Sequence, residues 1–172
     1  FAEEGYGLLL PEYRGYGGNP GSPSEQGLYR DGEAALRWLD GRGVQPDTMV
    51  LVGNSLGSGV ATEMAVRHAV KGLVIVSGFT SLADVAGPRM RLFPVRWLLR
   101  DRYGNAAKLG RVTAPVLVIH GDRDDLIPPD HGATLARTAR RGRLEMVRGV
   151  GHELAYLPSA QAIALRCVRA LD

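Results

Sequence analysis

The stretch LVGNSLGSG, residues 51–59, places one serine between two glycines directly after an apolar run. That run, residues 49–53, is bounded by turn signals, which is typical of a parallel strand covered on both faces. The residues that follow, 56–67, carry apolar side chains at helical spacing. A strand that enters a helix through so tight a turn is the setting of a nucleophile elbow, where small flanking residues are needed because the helix passes close to the strand.

Ser55 is therefore predicted to be a nucleophile exposed at the end of a sheet. The start of the following helix would aim its first backbone N–H groups at the same place, so the amide of Leu56 is expected to be one oxyanion donor. The five-residue pattern alone is a weak signal. The alternative interpretation is a glycine-rich turn in which the serine only caps the helix.

Strand-like and helix-like segments alternate along the rest of the chain. The predicted strands cover residues 6–10, 49–53, 73–77, 116–120 and 143–147, and the predicted helices cover residues 25–42, 56–67, 131–139 and 160–171. Ser24 is expected to cap the first of these helices. The alternation predicts one α/β domain over residues 1–172, with a mostly parallel sheet and helices on both of its faces.

One segment, about residues 78–111, is longer than a plain crossover between strands requires. It mixes aromatic and aliphatic side chains with several arginines. One interpretation is an elaborated crossover helix with a solvated basic face. The other is a lid-like insertion over a pocket at the carboxyl ends of the strands, where open α/β sheets bind ligands. Its position and aromatic content favour the lid.

A serine hydroxyl needs a base, and the base needs an orienting carboxylate. His152 lies in the glycine-flanked stretch RGVGHEL after the last predicted strand, and it is the predicted base. The stretch HGDRDDLIPP follows another strand and is predicted to supply the acid. We assign this role to Asp124, with Asp125 as the second candidate and Asp122 in a capping or turn role.

The remaining histidines and the cysteine are interpreted as structural. His120 ends a predicted strand and is expected to brace the turn that follows. His68 ends a helix and His131 begins one, so both are expected at the surface. Cys167 lies on an apolar helical face and is expected in the core.

A metal site is the alternative for the acidic stretch, because His120, Asp122, Asp124 and Asp125 fall within six positions. Their spacing matches neither a calcium loop nor a zinc-binding helix. We therefore predict no metal site in this stretch.

Composition restricts the partners. The chain has 172 residues, 45% of them hydrophobic and 23% charged, which is ordinary for a globular domain. The net charge is +3 and the arginines are spread along the chain, so no nucleic-acid partner is predicted. No apolar run approaches the roughly 20 residues of a membrane span. The single cysteine excludes an internal disulfide framework and suits a reducing compartment, which favours the cytoplasm.

The chain resembles the α/β-hydrolase superfamily, and within it the small-lid serine hydrolases, which include protein depalmitoylases and bacterial esterase-like and peptidase-like relatives. The matching stretches are YRGYGGNPGSPSEQGLYRDGEAALRWL, LVGNSLGSGVA, FTSLADVA, PVRWLL, APVLVIHGDRDDLIP and GVGHEL, in that order. The resemblance implies Ser55 as nucleophile, Asp124 as acid and His152 as base, in the chain order usual for this fold. It implies hydrolysis of a small-molecule carboxylic ester, thioester or amide through an acyl-enzyme, without cofactor or metal.

The sequence departs from this pattern at its start. The resemblance implies further strands and a helix before residues 6–10, with a loop that supplies the second oxyanion N–H. We therefore expect the sequence to be a fragment, N-terminally incomplete by roughly 50–70 residues on typical element lengths. Glu12 stands where the family more often has Asp, and we assign it no catalytic role.

Two other functional classes stay open. One is an enzyme of the same fold with peptidase, acyltransferase or haloperoxidase-like chemistry, which would keep the same three residues. The other is a non-catalytic scaffold of the same fold. The presence of competent residues at all three positions favours an enzyme.

Overall fold

A four-stranded parallel sheet forms the centre of the computed structural model, which describes residues 1–90 and 98–171. Its strands follow chain order and are β1 (Val50–Asn54), β2 (Gly72–Val76), β3 (Val116–Gly121) and β4 (Gly142–Val147). Each neighbouring pair is parallel, with Asn54 opposite Val76 and Val76 opposite Ile119. The carboxyl ends of β1, β2 and β3 therefore meet at one edge of the sheet.

Six α-helices connect and cover the strands in the described part of the chain. They are α1 (Glu25–Asp40), α2 (Gly57–Arg67), α3 (Leu82–Ala86), α4 (Asn105–Leu109), α5 (Pro129–Thr138) and α6 (Pro158–Arg169). Short 3₁₀ turns lie at Ala2–Glu4, Pro46–Thr48, Gly87–Arg89 and His152–Tyr156. The predicted cap of α1 is confirmed, because the Ser24 hydroxyl oxygen accepts the N–H of Gly27 at 3.2 Å. No helix of the described residues is long and apolar enough to cross a membrane.

Apolar side chains alternate between the two faces of the sheet, as they must along a strand. On one face, strand residues pack against α2 and α5, and the buried set includes Leu73, Ile75, Val116, Val118, Ala61, Ala65 and Leu135. On the other face they pack against α6, and the buried set includes Val74, Val76, Leu117, Ile119, Ala160 and Ala164. The prediction of an α/β fold with helices on both faces is confirmed.

A cluster of charged and hydroxyl side chains joins α1, α2 and α4. The Lys108 ammonium donates to the Tyr29 hydroxyl at 2.6 Å and lies 2.7 Å from the Glu63 carboxylate. The Tyr29 hydroxyl in turn donates to Glu25 at 2.7 Å. Burial and the bond to Glu25 raise the pKa of Tyr29, so the hydroxyl stays neutral and can donate. Glu25 also accepts the backbone N–H of Arg102 at 2.7 Å, which fixes the chain just before α4.

The strand predicted at residues 6–10 is wrong. This segment lies outside the sheet, and Leu8 and Leu10 are 58% and 88% exposed. An apolar run forms a strand only where a neighbour pairs with its backbone. Here β1 pairs with β2 and is itself an edge of the described sheet, where Val52 is 56% exposed.

The predicted insertion at residues 78–111 is described at both ends. Helix α3 and the 3₁₀ turn follow β2, and α4 leads toward β3. Residues 91–97, which include two of the aromatic residues of this segment, Phe93 and Trp97, lie outside the described residues. The lid interpretation of this segment therefore stays a prediction.

Candidate active site

Ser55 lies in the turn between β1 and α2. Its backbone φ is +48°, in the left-handed region, which costs a non-glycine residue about 1–3 kcal/mol. The surrounding hydrogen bonds hold it there: the Ser55 N–H donates to the Val76 carbonyl on β2 at 2.9 Å, and the Ser58 N–H donates to the Ser55 carbonyl at 2.9 Å. A strained residue held this firmly at the carboxyl edge of a sheet is typical of a functional site.

The glycine before this turn is required by the close approach of α2 to β1. A Cβ at Gly53 would lie 2.6 Å from the Gly57 carbonyl oxygen, 2.6 Å from Ser58 Cα and 2.8 Å from Ala61 Cβ. Two of these three neighbours are backbone atoms, which cannot rotate away. The predicted strand, tight turn and helix are all present, with α2 beginning at Gly57.

Asp124 lies in the loop between β3 and α5, referred to below as the acid loop (residues 122–128). The residue is 2% exposed. One carboxylate oxygen, Oδ1, accepts the backbone N–H groups of Leu126 at 3.1 Å and Ile127 at 2.8 Å. Backbone donors of this kind compensate a buried carboxylate for lost water and fix its orientation.

His152 begins the 3₁₀ turn after β4 and lies between the other two residues. Its Nδ1 is 2.9 Å from the Oδ2 of Asp124, and its Nε2 is 3.0 Å from the Oγ of Ser55. Because an ionised carboxylate can only accept, Nδ1 carries the proton and Nε2 is free to accept from the serine hydroxyl. The structure thus brings together the three residues predicted from sequence, with Nε2 of His152 within hydrogen-bond distance of the Ser55 hydroxyl.

Leu56 is the first residue after Ser55 and precedes the first turn of α2. The backbone bonds of this turn begin with the N–H groups of Ser58 and Gly59, which donate to the carbonyls of Ser55 and Leu56. The Leu56 N–H stands outside that set. Among the described residues it makes no backbone hydrogen bond in this turn, and a backbone donor at a helix N-terminus is suited to stabilising negative charge.

Comparison with known proteins identifies the family. Residues 1–107, more than half of the chain, match the alpha/beta hydrolase family. The chain belongs to the alpha/beta hydrolase family. The sequence resemblance is therefore confirmed at the level of the family.

Two relatives show how much of a family member this chain covers. It is 46% identical over 150 residues to the Mycobacterium tuberculosis protein Rv2307c, covering 86% of this chain and 53% of that protein. It is 34% identical over 143 residues to human alpha/beta hydrolase domain-containing protein 17B, covering 82% of this chain and 48% of that protein. The chain thus spans about half the length of these relatives.

The fold of this alpha/beta hydrolase also matches solved structures. The crystal structure of a monoacylglycerol lipase from Paleococcus ferrophilus superposes with a TM-score of 0.64 at 18% identity, covering 94% of this chain and 80% of the lipase. At this identity the match concerns the fold alone.

The other predicted residues of this alpha/beta hydrolase have structural contacts. His120 braces the acid loop as predicted, because its Nε2 donates to the Ile127 carbonyl at 2.9 Å. Asp122 has the predicted turn role and accepts the Gly149 N–H at 2.6 Å. Asp125 is exposed. Among the described residues, no three His, Cys, Asp or Glu side chains are arranged to hold a metal ion.

The structure also places the other two histidines and the cysteine. His131 is buried, so its predicted place at the surface is wrong, and the Thr80 N–H donates to its Nδ1 at 3.2 Å. His68 is half-buried at the end of α2, with Nε2 3.0 Å from Glu33. Cys167 is half-buried against the apolar cluster under α6, and burial raises the pKa of its thiol.

The structure contains two cavities of a few hundred cubic ångströms among its described residues. One, of about 290 Å³, lies between α3 and the start of α5 and is lined by Asp84, Val85, Pro88, Pro128 and His131. A larger one, of about 400 Å³, is lined by residues 45–47 and 67–69. The larger cavity lies at the amino ends of the strands, opposite Ser55, and has no part in the candidate site.

Sequence reasoning missed the groups that hold Asp124 in place. The backbone donors of Leu126 and Ile127 and the buried imidazole of His120 were not predicted as partners of Asp124. An available signal was the aspartate two or three residues before those donors in a proline-ended turn, because Asp side chains commonly bond the backbone in this way.

Proposed function

We propose that this protein is a serine hydrolase that cleaves small-molecule carboxylic esters or thioesters through an acyl-enzyme. The observation that carries the proposal is the continuous hydrogen-bonded chain from Asp124 through His152 to Ser55, with steps of 2.9 and 3.0 Å. The strained φ of Ser55 and the buried, fully bonded carboxylate of Asp124 support it further. Family membership agrees with hydrolase chemistry.

In the first half-reaction, the Oγ of Ser55 forms a bond to the acyl carbon while its proton moves to Nε2 of His152. Asp124 stabilises the resulting imidazolium and keeps its ring in the reactive orientation. The carbonyl oxygen takes up the negative charge and accepts from the Leu56 N–H. When the bond between the acyl carbon and the leaving group breaks, the imidazolium gives its proton to the departing atom. That atom is the oxygen of an alcohol or the sulfur of a thiol.

The second half-reaction repeats these steps with water. His152 accepts a water proton, the hydroxide oxygen attacks the acyl carbon, and the same backbone donor stabilises the oxyanion. The ester bond to Ser55 then breaks, and its Oγ regains the proton from His152. The products are the free acid and the original enzyme.

Labelling by a fluorophosphonate tests the nucleophile, because this probe reacts with activated serines. The protein and its Ser55→Ala variant are labelled in parallel, and hydrolysis of p-nitrophenyl acetate is measured alongside. We expect stoichiometric labelling of the protein, none of Ser55→Ala, and a fall in kcat of about 10³-fold or more.

Ser77→Ala is the matched control. Ser77 follows β2 as Ser55 follows β1, has a φ of +46° and is fully buried. It should keep both labelling and hydrolysis. Labelling that persists in Ser55→Ala, or a folded protein that takes up no label at all, contradicts the proposed function.

A further inference from the structure

The acid loop is held by an imidazole that the proposed reaction does not use. His120, the fifth residue of β3, is fully buried. Its Nε2 lies 2.9 Å from the carbonyl oxygen of Ile127. A carbonyl can only accept, so Nε2 carries the ring proton and donates it to the acid loop.

The surroundings of the other ring nitrogen, Nδ1, indicate that it carries no proton. Nδ1 of His120 is buried without a hydrogen-bond partner among the described residues. The backbone of α5 covers it, since a Cβ at Gly132 would lie 2.6 Å from Nδ1. A proton on Nδ1 would therefore be buried without an acceptor, which is costly. His120 is consequently held as the neutral tautomer protonated at Nε2.

Ile127 connects this ring to the acid. Its carbonyl accepts from His120, while its N–H donates to Oδ1 of Asp124 at 2.8 Å. The Nε2 of His120 also lies 3.5 Å from Oδ2 of Asp124, the same oxygen that accepts from His152. The two imidazoles thus face the same carboxylate oxygen, but only His152 is hydrogen-bonded to it.

We propose that His120 is a positioning residue for the hydrolase reaction: through Ile127 it fixes the acid loop, and as a neutral ring it leaves the charge of Asp124 to His152. The proposal rests on the proposed function. A charged His120 would compete with His152 for that carboxylate and weaken the imidazolium on which proton transfer depends.

The groups around His120 agree with a neutral ring. Burial lowers the pKa of His120 and outweighs the bond to Ile127 and the charge of Asp124, which raise it. Two further titratable groups face the ring from other elements, His131 from α5 and His152 from the loop after β4, and their charges lower the same pKa. Protonation of either neighbour thus makes charging of His120 harder still.

Two substitutions by uncharged side chains of different length test the positioning role. In His120→Gln the side-chain amide can extend to the position of Nε2 and donate to Ile127. In His120→Asn the amide ends near the position of Nδ1 and cannot. We expect His120→Asn to lower kcat roughly 10- to 100-fold, as a small misplacement of a catalytic group does, with KM changed less than twofold. His120→Gln should recover most of that loss.

A second readout separates positioning from folding. The acid limb of the kcat/KM profile reports the titration of the base. In His120→Asn its midpoint should move to lower pH, since a loosely held Asp124 stabilises the imidazolium less, and in His120→Gln it should stay near the wild-type position. A merely structural role would lower the melting temperature without moving the limb. If His120→Asn does not fold, His120→Leu serves in its place.

The titration of the His152 ring can also be followed by NMR in a Ser55→Ala background. This measurement does not require an active enzyme. It therefore tests the positioning role even if the protein proves not to hydrolyse esters, and failure of the two proposals can be told apart. Wild-type kcat and an unmoved midpoint in folded His120→Asn or His120→Leu would overturn the inference. So would equal impairment of His120→Gln and His120→Asn.

Discussion

Gly53 on β1 packs directly against Ser58 in the first turn of α2, leaving no room for a side chain at residue 53. We expect Gly53→Ala to lower the free energy of unfolding by about 1–3 kcal/mol, because the added methyl meets backbone atoms that cannot yield without moving the helix. Urea denaturation measures this change.

The neighbouring glycine provides the control for that prediction. Among the described residues outside its own helix turn, a Cβ at Gly57 would have only the Tyr13 hydroxyl near it, at 3.9 Å. Gly57→Ala should not destabilise the protein, and it should raise the free energy of unfolding by up to about 1 kcal/mol because alanine is the better helix former. Equal destabilisation by the two substitutions would show that the close approach of β1 and α2 is not the cause.

The strain at Ser55 predicts an unusual order of stabilities. Glycine adopts a left-handed φ at little cost, so Ser55→Gly should be more stable than Ser55→Ala by about 1 kcal/mol. At Ser58, inside α2, the order should reverse, because glycine in a helix costs about 1 kcal/mol relative to alanine. Thermal denaturation of the four variants decides this, and the same order at both positions would exclude strain at Ser55.

The choice among the aspartates of the acid loop can be tested by removing one charge at a time. Asp124→Asn keeps the shape of the side chain but cannot hold the base in the required tautomer, and we expect kcat for p-nitrophenyl acetate to fall about 10⁴-fold. Asp125→Asn, at an exposed position, should retain kcat within about threefold. If Asp125→Asn is the damaging substitution, Asp124 is not the acid.

Burial of neutral His120 predicts a pH dependence of stability. Its pKa is lowered from an ordinary value of 6.5, so below about pH 6.5 the unfolded chain binds a proton that the folded protein does not. The free energy of unfolding should then fall with decreasing pH, by up to about 1.4 kcal/mol per unit. His120→Gln should remove this contribution between pH 5 and 6.5, as measured by urea denaturation.

Acidic side chains also make the free energy of unfolding fall with decreasing pH, but in a lower pH range. The bond from Arg14 lowers the pKa of Asp31, so its stabilising contribution is lost only as the pH falls below about 4. The pH ranges in which His120 and Asp31 affect stability can therefore be separated. An unchanged slope between pH 5 and 6.5 in His120→Gln would mean that the ring is not buried in its neutral form.

Local patterns were sufficient for the elements that carry the site. The apolar run before Ser55 and the helical spacing after it predict β1 and α2 to within a residue at most ends, since both depend on neighbours in sequence. Asp124 and His152 could be proposed because each follows a predicted strand, and parallel strands bring their carboxyl ends to one edge. Their catalytic roles stay predictions.

Features that depend on distant segments could not be predicted in this way. His131 lies at the start of a helix, and only the fold brings Thr80 from 51 residues earlier to donate a hydrogen bond to its ring. The apolar run at residues 6–10 has the composition of a strand, but pairing is decided by which backbone lies alongside it. The support of Asp124 by His120 through Ile127 likewise needs the acid loop to be closed.

Ser55 and its imidazole partner are 97 residues apart in the chain, and β2, β3 and β4 all lie between them. During synthesis Ser55 would leave the ribosome well before His152 has been made. The proposed acyl transfer is thus withheld from every chain too short to include His152. After dilution from denaturant, recovery of probe labelling would report when His152 docks beside Ser55 rather than when the chain first collapses.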